Sequence, residues 1–442
     1  MRRFFHKQYL PFYTFAGVII CYHLLIAETY GDALTYFSKV LDTYTLPAYL
    51  SMRYTQWTSR LVIESVLVYV ARSELLWKII DCCMWMLLVV SMSDLMPGKN
   101  RLRNRWIMVA LWLMVPLWEM SSAGWIATTV NYSWPLALGV FSMTVIARIF
   151  RGQPVRWYHA VSAIFAAVYA ANAEQMCIVL LAVFGVALLY QLHTRRAERN
   201  AVVLLAVFCC IIIAELLFIL TCPGNQNRTL AETQTWNPAF SQLQLGEKLQ
   251  LGIVDTLYIL QTGWVVLYGL LCLLLLVLAW RQRKTHPLCV AIACVPFGCM
   301  CVYSLRGYQQ YGLQALTGGF ITQENMPYEL SWPALIQCLV VLGCILFVLY
   351  QVYQPHKTEG RVVIGTLLLG GATRAVLGFS PTLYVSSGRT FLFLYACIIW
   401  VNASLISRLA ADCRHRQALQ CAGLALTGLS VLRTLCILIG MA

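Results

Sequence analysis

The sequence predicts an all-α integral membrane protein, and three observations carry that prediction. Of 442 residues, 60% are hydrophobic and only 11% charged, with a mean hydropathy of +0.70, far outside the balance of a soluble domain. Apolar runs long enough to cross about 30 Å of hydrocarbon as helices recur from end to end. No polar interval is long enough for a separate soluble domain, so residues 1–442 read as a single polytopic membrane domain.

Thirteen spans are expected, near 10–28, 75–93, 106–120, 134–150, 157–172, 176–192, 201–221, 256–280, 287–304, 332–353, 361–379, 390–407 and 417–440. The first follows Arg2, Arg3 and Lys7 without a convincing small-residue cleavage site, and reads as a retained helix rather than a signal peptide. The apolar stretch between Arg60 and Arg72 has 11 residues, too few to cross, and suits an interfacial or partly embedded helix. Most of the 18 cysteines lie inside apolar segments without histidines at metal-ligand spacing, and read as small packing residues.

Charge fixes an expected orientation. Every second loop is basic, and with the amino terminus these loops hold 21 of the 32 Lys and Arg, whereas 12 of the 18 acids fall at or near the opposite face. The positive-inside rule then puts the amino terminus and the basic loops in the cytoplasm. It makes 28–74 a first outward loop with interfacial helices and 222–255 a larger one. A net charge of +14 dispersed through short loops argues against a nucleic-acid partner.

The outward face collects the unusual residues. Glu28 and Asp32 stand at i, i+4, a spacing that on a helix puts both carboxylates on one face, although Gly31 makes a turn equally compatible. Such a carboxylate can deprotonate a hydroxyl or hold a divalent cation; no cofactor is required by the sequence. In R-Y-T-Q-W-T-S-R, Arg53 and Arg60 flank Tyr54 and Trp57, whose i, i+3 spacing aligns two rings, with Arg60 continuing the stripe. Aromatics beside guanidinium groups suit a sugar phosphate, and they suit a membrane interface equally. P-G-N-Q-N-R reads as a turn carrying Asn225 and Arg228, and S-P-T-L-Y-V-S-S-G-R brings Tyr384 and Arg389 to the same face. Asn172 and Glu174 occupy a tight turn, where Glu174 is placed to pair with one of these arginines. A further outward loop is expected around 305–331. Asp81, Glu215 and Arg433 fall within spans and read as helix–helix polar contacts.

The Walker loop, the dinucleotide fingerprint, H-E-x-x-H and G-x-S-x-G are all missing. An enzyme of this kind must therefore draw on an activated substrate already in the membrane.

The ordered set G-D-A-L-T-Y-F-S, R-Y-T-Q-W-T-S-R, N-Y-S-W-P, A-N-A-E-Q, P-G-N-Q-N-R and G-F-S-P-T-L-Y-V-S-S-G-R-T resembles a bacterial family of polytopic membrane proteins over nearly the whole chain. That family is similar to the C-type (GT-C) lipid-phosphosugar glycosyltransferases, among them the serotype-converting glucosyltransferases of O-antigen. The resemblance implies a GT-C-like multi-helix bundle in the bacterial inner membrane, with a catalytic acid just after the first span, where Asp32 stands. The common motif has two adjacent acids; here Gly31 precedes Asp32, leaving Glu28 as the partner acid or a metal role in doubt. It implies inverting transfer of a sugar, glucosyl by the same resemblance, from an undecaprenyl-phosphate donor to a periplasmic glycan acceptor. Asp32 would take the acceptor proton, Arg53, Arg60, Arg228 and Arg389 would meet the phosphate, and Tyr54, Trp57, Asn131, Tyr132, Trp134, Asn172, Glu174, Asn225 and Tyr384 would contact substrate. A polysaccharide polymerase shares these features, and a lipid-linked glycan flippase or transporter is the alternative from another class.

Overall fold

The computed structural model describes residues 7–98, 100–194, 198–304, 332–386, 388–411 and 416–441. Helices dominate from end to end, and no strand forms among the described residues. In chain order they are α1 (Leu10–Leu25), α2 (Leu46–Gln56), α3 (Leu61–Val70), α4 (Glu74–Leu95), α5 (Arg101–Trp112), α6 (Trp125–Asn131), α7 (Ser133–Phe150), α8 (Trp157–Ala171) and α9 (Glu174–His193). They continue with α10 (Arg199–Thr221), α11 (Pro223–Trp236), α12 (Leu245–Thr262), α13 (Val266–Arg281), α14 (Pro287–Ser304), α15 (Trp332–Val352), α16 (Lys357–Ala375), α17 (Leu392–Ala411) and α18 (Arg416–Met441). A five-residue π-helix, Ala33–Phe37, lies between α1 and α2.

By length and composition, nine helical segments among the described residues can cross a membrane, and the pair α12 and α13, bent by 86°, makes a tenth if it counts as one span. Three of the thirteen expected spans are shorter: α1 has 16 residues, α5 has 12 and α8 has 15. At 1.5 Å per residue α5 reaches only about 18 Å. Its run is broken near Pro116, after which the chain continues as a 3-10 turn, Leu117–Ser121. The stretch after Arg60 does form a short apolar helix, α3. The larger loop expected at 222–255 is itself mostly helical, because P-G-N-Q-N-R opens α11 with Pro223 in its first turn rather than making a turn. The expected loop at 305–331 lies outside the described residues.

Buried polar groups tie the helices together, as lipid-embedded packing favours. Asp81 on α4 accepts from the Trp134 indole on α7 at 2.6 Å and from Trp85 at 3.0 Å, and lies 2.9 Å from the His23 ring on α1. Arg374 on α16, fully buried, pairs with Asp255 on α12 and donates to the Thr390 hydroxyl. Arg433 lies over the Trp118 and Trp264 rings, and Glu215 accepts from Asn172 at 3.4 Å.

Segments 28–60, 122–132, 172–174 and 225–228 and residue 389 meet at one end of the bundle. At the other end, Arg151 donates to the Met96 carbonyl and Arg105 to that of Gln8, drawing the basic loops together.

Candidate functional site

The chain leaves α1 in extended conformation at Ile26, so Glu28 and Asp32 are not on one helical face. Gly31, at φ +105°, crosses Gly124, at φ +86°, backbone against backbone. A Cβ on Gly31 would sit 2.6 Å from the Ala123 carbonyl oxygen, so this position is reserved for glycine by contact as well as by backbone conformation. Around this crossing, the Tyr30 hydroxyl donates to the Ser121 carbonyl at 2.8 Å, and buried Glu28 accepts from the Ile126 amide at 3.1 Å. Glu28 is thereby committed to the first turn of α6, a good location for a carboxylate. Burial lifts its carboxyl to about 7, against the pull of the Ile126 and Trp125 amides. The crossing also leaves Asp32 exposed at the head of the π-helix.

Asp32 lines an open cavity of about 150 Å³ together with Arg53, Trp57, Arg60, Asn131, Tyr132, Arg228 and Arg389. Eight residues singled out from sequence, drawn from five separate segments, thus share one space. It is smaller than the roughly 300–1,000 Å³ of sites that enclose a whole drug-sized ligand, and suits a charged headgroup.

The four arginines are held differently. Arg53 makes a bidentate pair with Glu64, at 2.7 and 2.6 Å, and Glu64 also accepts from the Tyr49 hydroxyl at 2.6 Å. That fork ties α2 to α3, so Arg53 forms wall rather than free charge. Arg60 pairs with Glu174 at 2.5 Å and donates to Asn131 at 3.2 Å. Arg228 is only loosely held, 3.7 Å from Glu174 and 3.9 Å from Glu232. Burial raises the Glu232 carboxyl, with Arg228 opposing. Arg389 makes no ion pair among the described residues, although its charge also acts on Glu232; its guanidinium lies 5.8 Å from the centre of the Tyr132 ring, and its Nε is buried without a hydrogen-bond partner there. Arg228 and Arg389 are therefore the cations best placed to receive an anion. Asp32 makes no hydrogen bond or ion pair with the described residues, and no group of three or more His, Cys, Asp or Glu converges as a metal site among them.

Several residues expected at substrate lie elsewhere. Tyr54 stacks on Phe218, 5.3 Å away, because α2 ends at Gln56 and Trp57 leaves helical geometry, so the two rings diverge and Arg60 begins α3 instead of continuing a stripe. Trp134 is buried against Asp81. Asn172 accepts from the Val62 and Ile63 amides at 3.1 Å and donates to the Ser59 carbonyl, fixing the start of α3. Asn225 accepts from the Ser59 amide and donates to the Ser59 hydroxyl. Tyr384 does not line the cavity. Asn172, Asn225 and Glu174 thus support the arginines from behind.

Sequence reasoning missed Glu64 and Thr128. Glu64 had a signal, being a lone acid in a short apolar run. Thr128 lines the cavity, and its hydroxyl is buried without a hydrogen-bond partner among the described residues. No family model, curated protein or solved structure matches the chain.

Proposed function

We propose that this chain is a GT-C-like glycosyltransferase of the bacterial inner membrane. On this reading it moves a sugar, glucosyl by resemblance, from undecaprenyl-phosphate sugar to a cell-surface glycan such as O-antigen, at the periplasmic face and with inversion. The observation that carries the reading is the cavity itself: Asp32, a carboxylate without an ion pair among the described residues, shares it with loosely held Arg228 and Arg389 and with Trp57 and Tyr132. The charge pattern supports the orientation, since the cavity lies at the end away from the basic loops.

In this mechanism Asp32 accepts the proton of the acceptor hydroxyl as its oxygen attacks the anomeric carbon. The bond from that carbon to the phosphate oxygen breaks, and the electron pair leaves with undecaprenyl phosphate. Fixed cations in a partly dry cavity favour that departing charge more than they would in water. Arg228 and Arg389 receive the phosphate, and Arg60, locked to Glu174, positions Asn131 and Tyr132. The aromatic faces of Trp57 and Tyr132 hold sugar.

Purified chain given undecaprenyl-phosphate glucose and a glycan acceptor should add single sugars and release undecaprenyl phosphate. Chains of repeat units would indicate a polymerase instead, and lipid movement across the bilayer without a new glycosidic bond would indicate a flippase.

A further inference from the structure

A second cavity, of about 810 Å³, opens at the opposite, basic end among α4, α5, α7 and α8. Its inner end reaches Leu87 and Val90 on α4 and Phe141 on α7, with Ser91 and Thr144 beside them, whereas its mouth carries Arg101, Arg105, Arg148 and Arg151. From Phe141 to Arg151 is ten residues of helix and its end, so the space runs roughly 15 Å inward. Among the described residues the only acid in its lining is Asp94, which forms no ion pair with them. The guanidinium groups are met by backbone carbonyls: Arg105 by Gln8 at 2.9 Å, Arg151 by Met96 at 3.2 Å and Arg148 by Pro154 at 3.4 Å. Orientation alone explains basic residues in loops; it does not explain why they surround a deep space that reaches Leu87, Val90 and Phe141.

The Thr144 hydroxyl donates to the Phe141 carbonyl, so it accepts from the His159 ring at 3.1 Å, which assigns that proton to Nε2. His159 Nδ1 is then a lone pair, buried without a hydrogen-bond partner among the described residues, so the arginines and not His159 carry the charge at this cavity.

We propose that this cavity binds a phosphate-bearing anion, with the phosphate between Arg148 and Arg151 and any apolar portion against Leu87, Val90 and Phe141. Guanidinium groups lacking carboxylates are matched to phosphate geometry, and basic pockets between membrane helices on this side commonly hold lipid headgroups. The shared chemistry is the phosphate; the apolar side chains at the inner end suit a lipid that carries one.

The test uses the full chain purified from membranes containing phosphatidylglycerol and then exchanged into phosphatidylcholine nanodiscs. Retained phosphatidylglycerol is measured per chain by mass spectrometry, and stabilisation by added inorganic phosphate is measured by thermal unfolding. The variants are Arg148→Gln/Arg151→Gln, the control Arg281→Gln/Arg283→Gln, which removes the same charge from another basic loop, and Ala147→Trp, which puts bulk into the cavity beside Arg148 and keeps every charge. Lipid retention lowered roughly tenfold or more by the first pair and by Ala147→Trp, but not by the control, supports the site with a lipid source. Phosphate stabilisation lost in the same pattern supports it with a soluble source. Equal loss in the control pair, or no effect of either probe, overturns it.

Discussion

Asp32 and Glu28 are four residues apart and do different work. Asp32 is exposed, makes no ion pair among the described residues and lines the cavity, so its removal should leave the fold intact; Glu28 is buried and holds the first turn of α6. Because burial raises the Glu28 carboxyl from 4.5 to about 7, the folded chain binds that proton more tightly than the unfolded one. Its contribution is fully present below pH 4.5 and declines as pH rises through about 7. Glu28→Gln should flatten that decline, by up to about 3 kcal/mol, in thermal unfolding followed across pH in detergent. An unchanged pH profile would show that Glu28 is not the titrating group. The arginines separate similarly. Arg53→Ala strands buried Glu64 and should destabilise the chain by about 3 to 5 kcal/mol, a loss that Glu64→Gln in the same chain partly restores. Arg389→Ala removes no ion pair among the described residues and should weaken donor binding while unfolding at nearly the wild-type temperature. These roles were only partly legible: an arginine in a loop looks the same whether its partner is Glu64 or a phosphate. That distinction depends on a contact formed in three dimensions.

At the scale of elements, the site is set by where short helices stop. Trp57 faces the cavity because α2 ends one residue earlier, and Tyr54 packs on α10 because it is still inside the helix. The i, i+3 pattern had put both rings together; a helix boundary shifted by a residue or two is enough to separate them. The crossing of Gly31 over Gly124 is equally invisible in a single sequence, where Gly31 reads as a missing acid rather than a close backbone approach. Gly31→Ala combines strain at positive φ with a collision against Ala123, and should lower stability by more than about 1 kcal/mol. It should also reduce transfer, because it moves Asp32. Calorimetry and the transfer assay on this variant, compared with Asp32→Asn, would separate the two effects: normal stability and full transfer by Gly31→Ala would remove the crossing from the account.

For the whole molecule, composition and hydropathy made the all-α membrane architecture legible, and of thirteen apolar runs nine or ten form helical segments long and apolar enough to cross among the described residues. Periodicity marks apolar runs, but Pro116 and the 86° bend between α12 and α13 decide how far each run continues as a straight helix. The polar segments that converge are spread from residue 32 to residue 389, and sequence placed them on one face through loop charge alone. That inference has its own check: cysteines placed at 101–105 should resist a membrane-impermeant thiol reagent in intact cells, and cysteines at 226–227 should react. The reverse pattern would put the cavity on the cytoplasmic side and exclude a periplasmic acceptor.

The central claim is that Asp32 is the base for sugar transfer from a polyprenyl phosphate at this cavity. The most direct measurement is the rate of glycan formation by purified Asp32→Asn given undecaprenyl-phosphate glucose and acceptor, beside wild type, with donor binding measured on both. The account predicts transfer lowered by at least about a hundredfold, with donor binding and unfolding temperature nearly unchanged. Transfer at the wild-type rate by Asp32→Asn would contradict it.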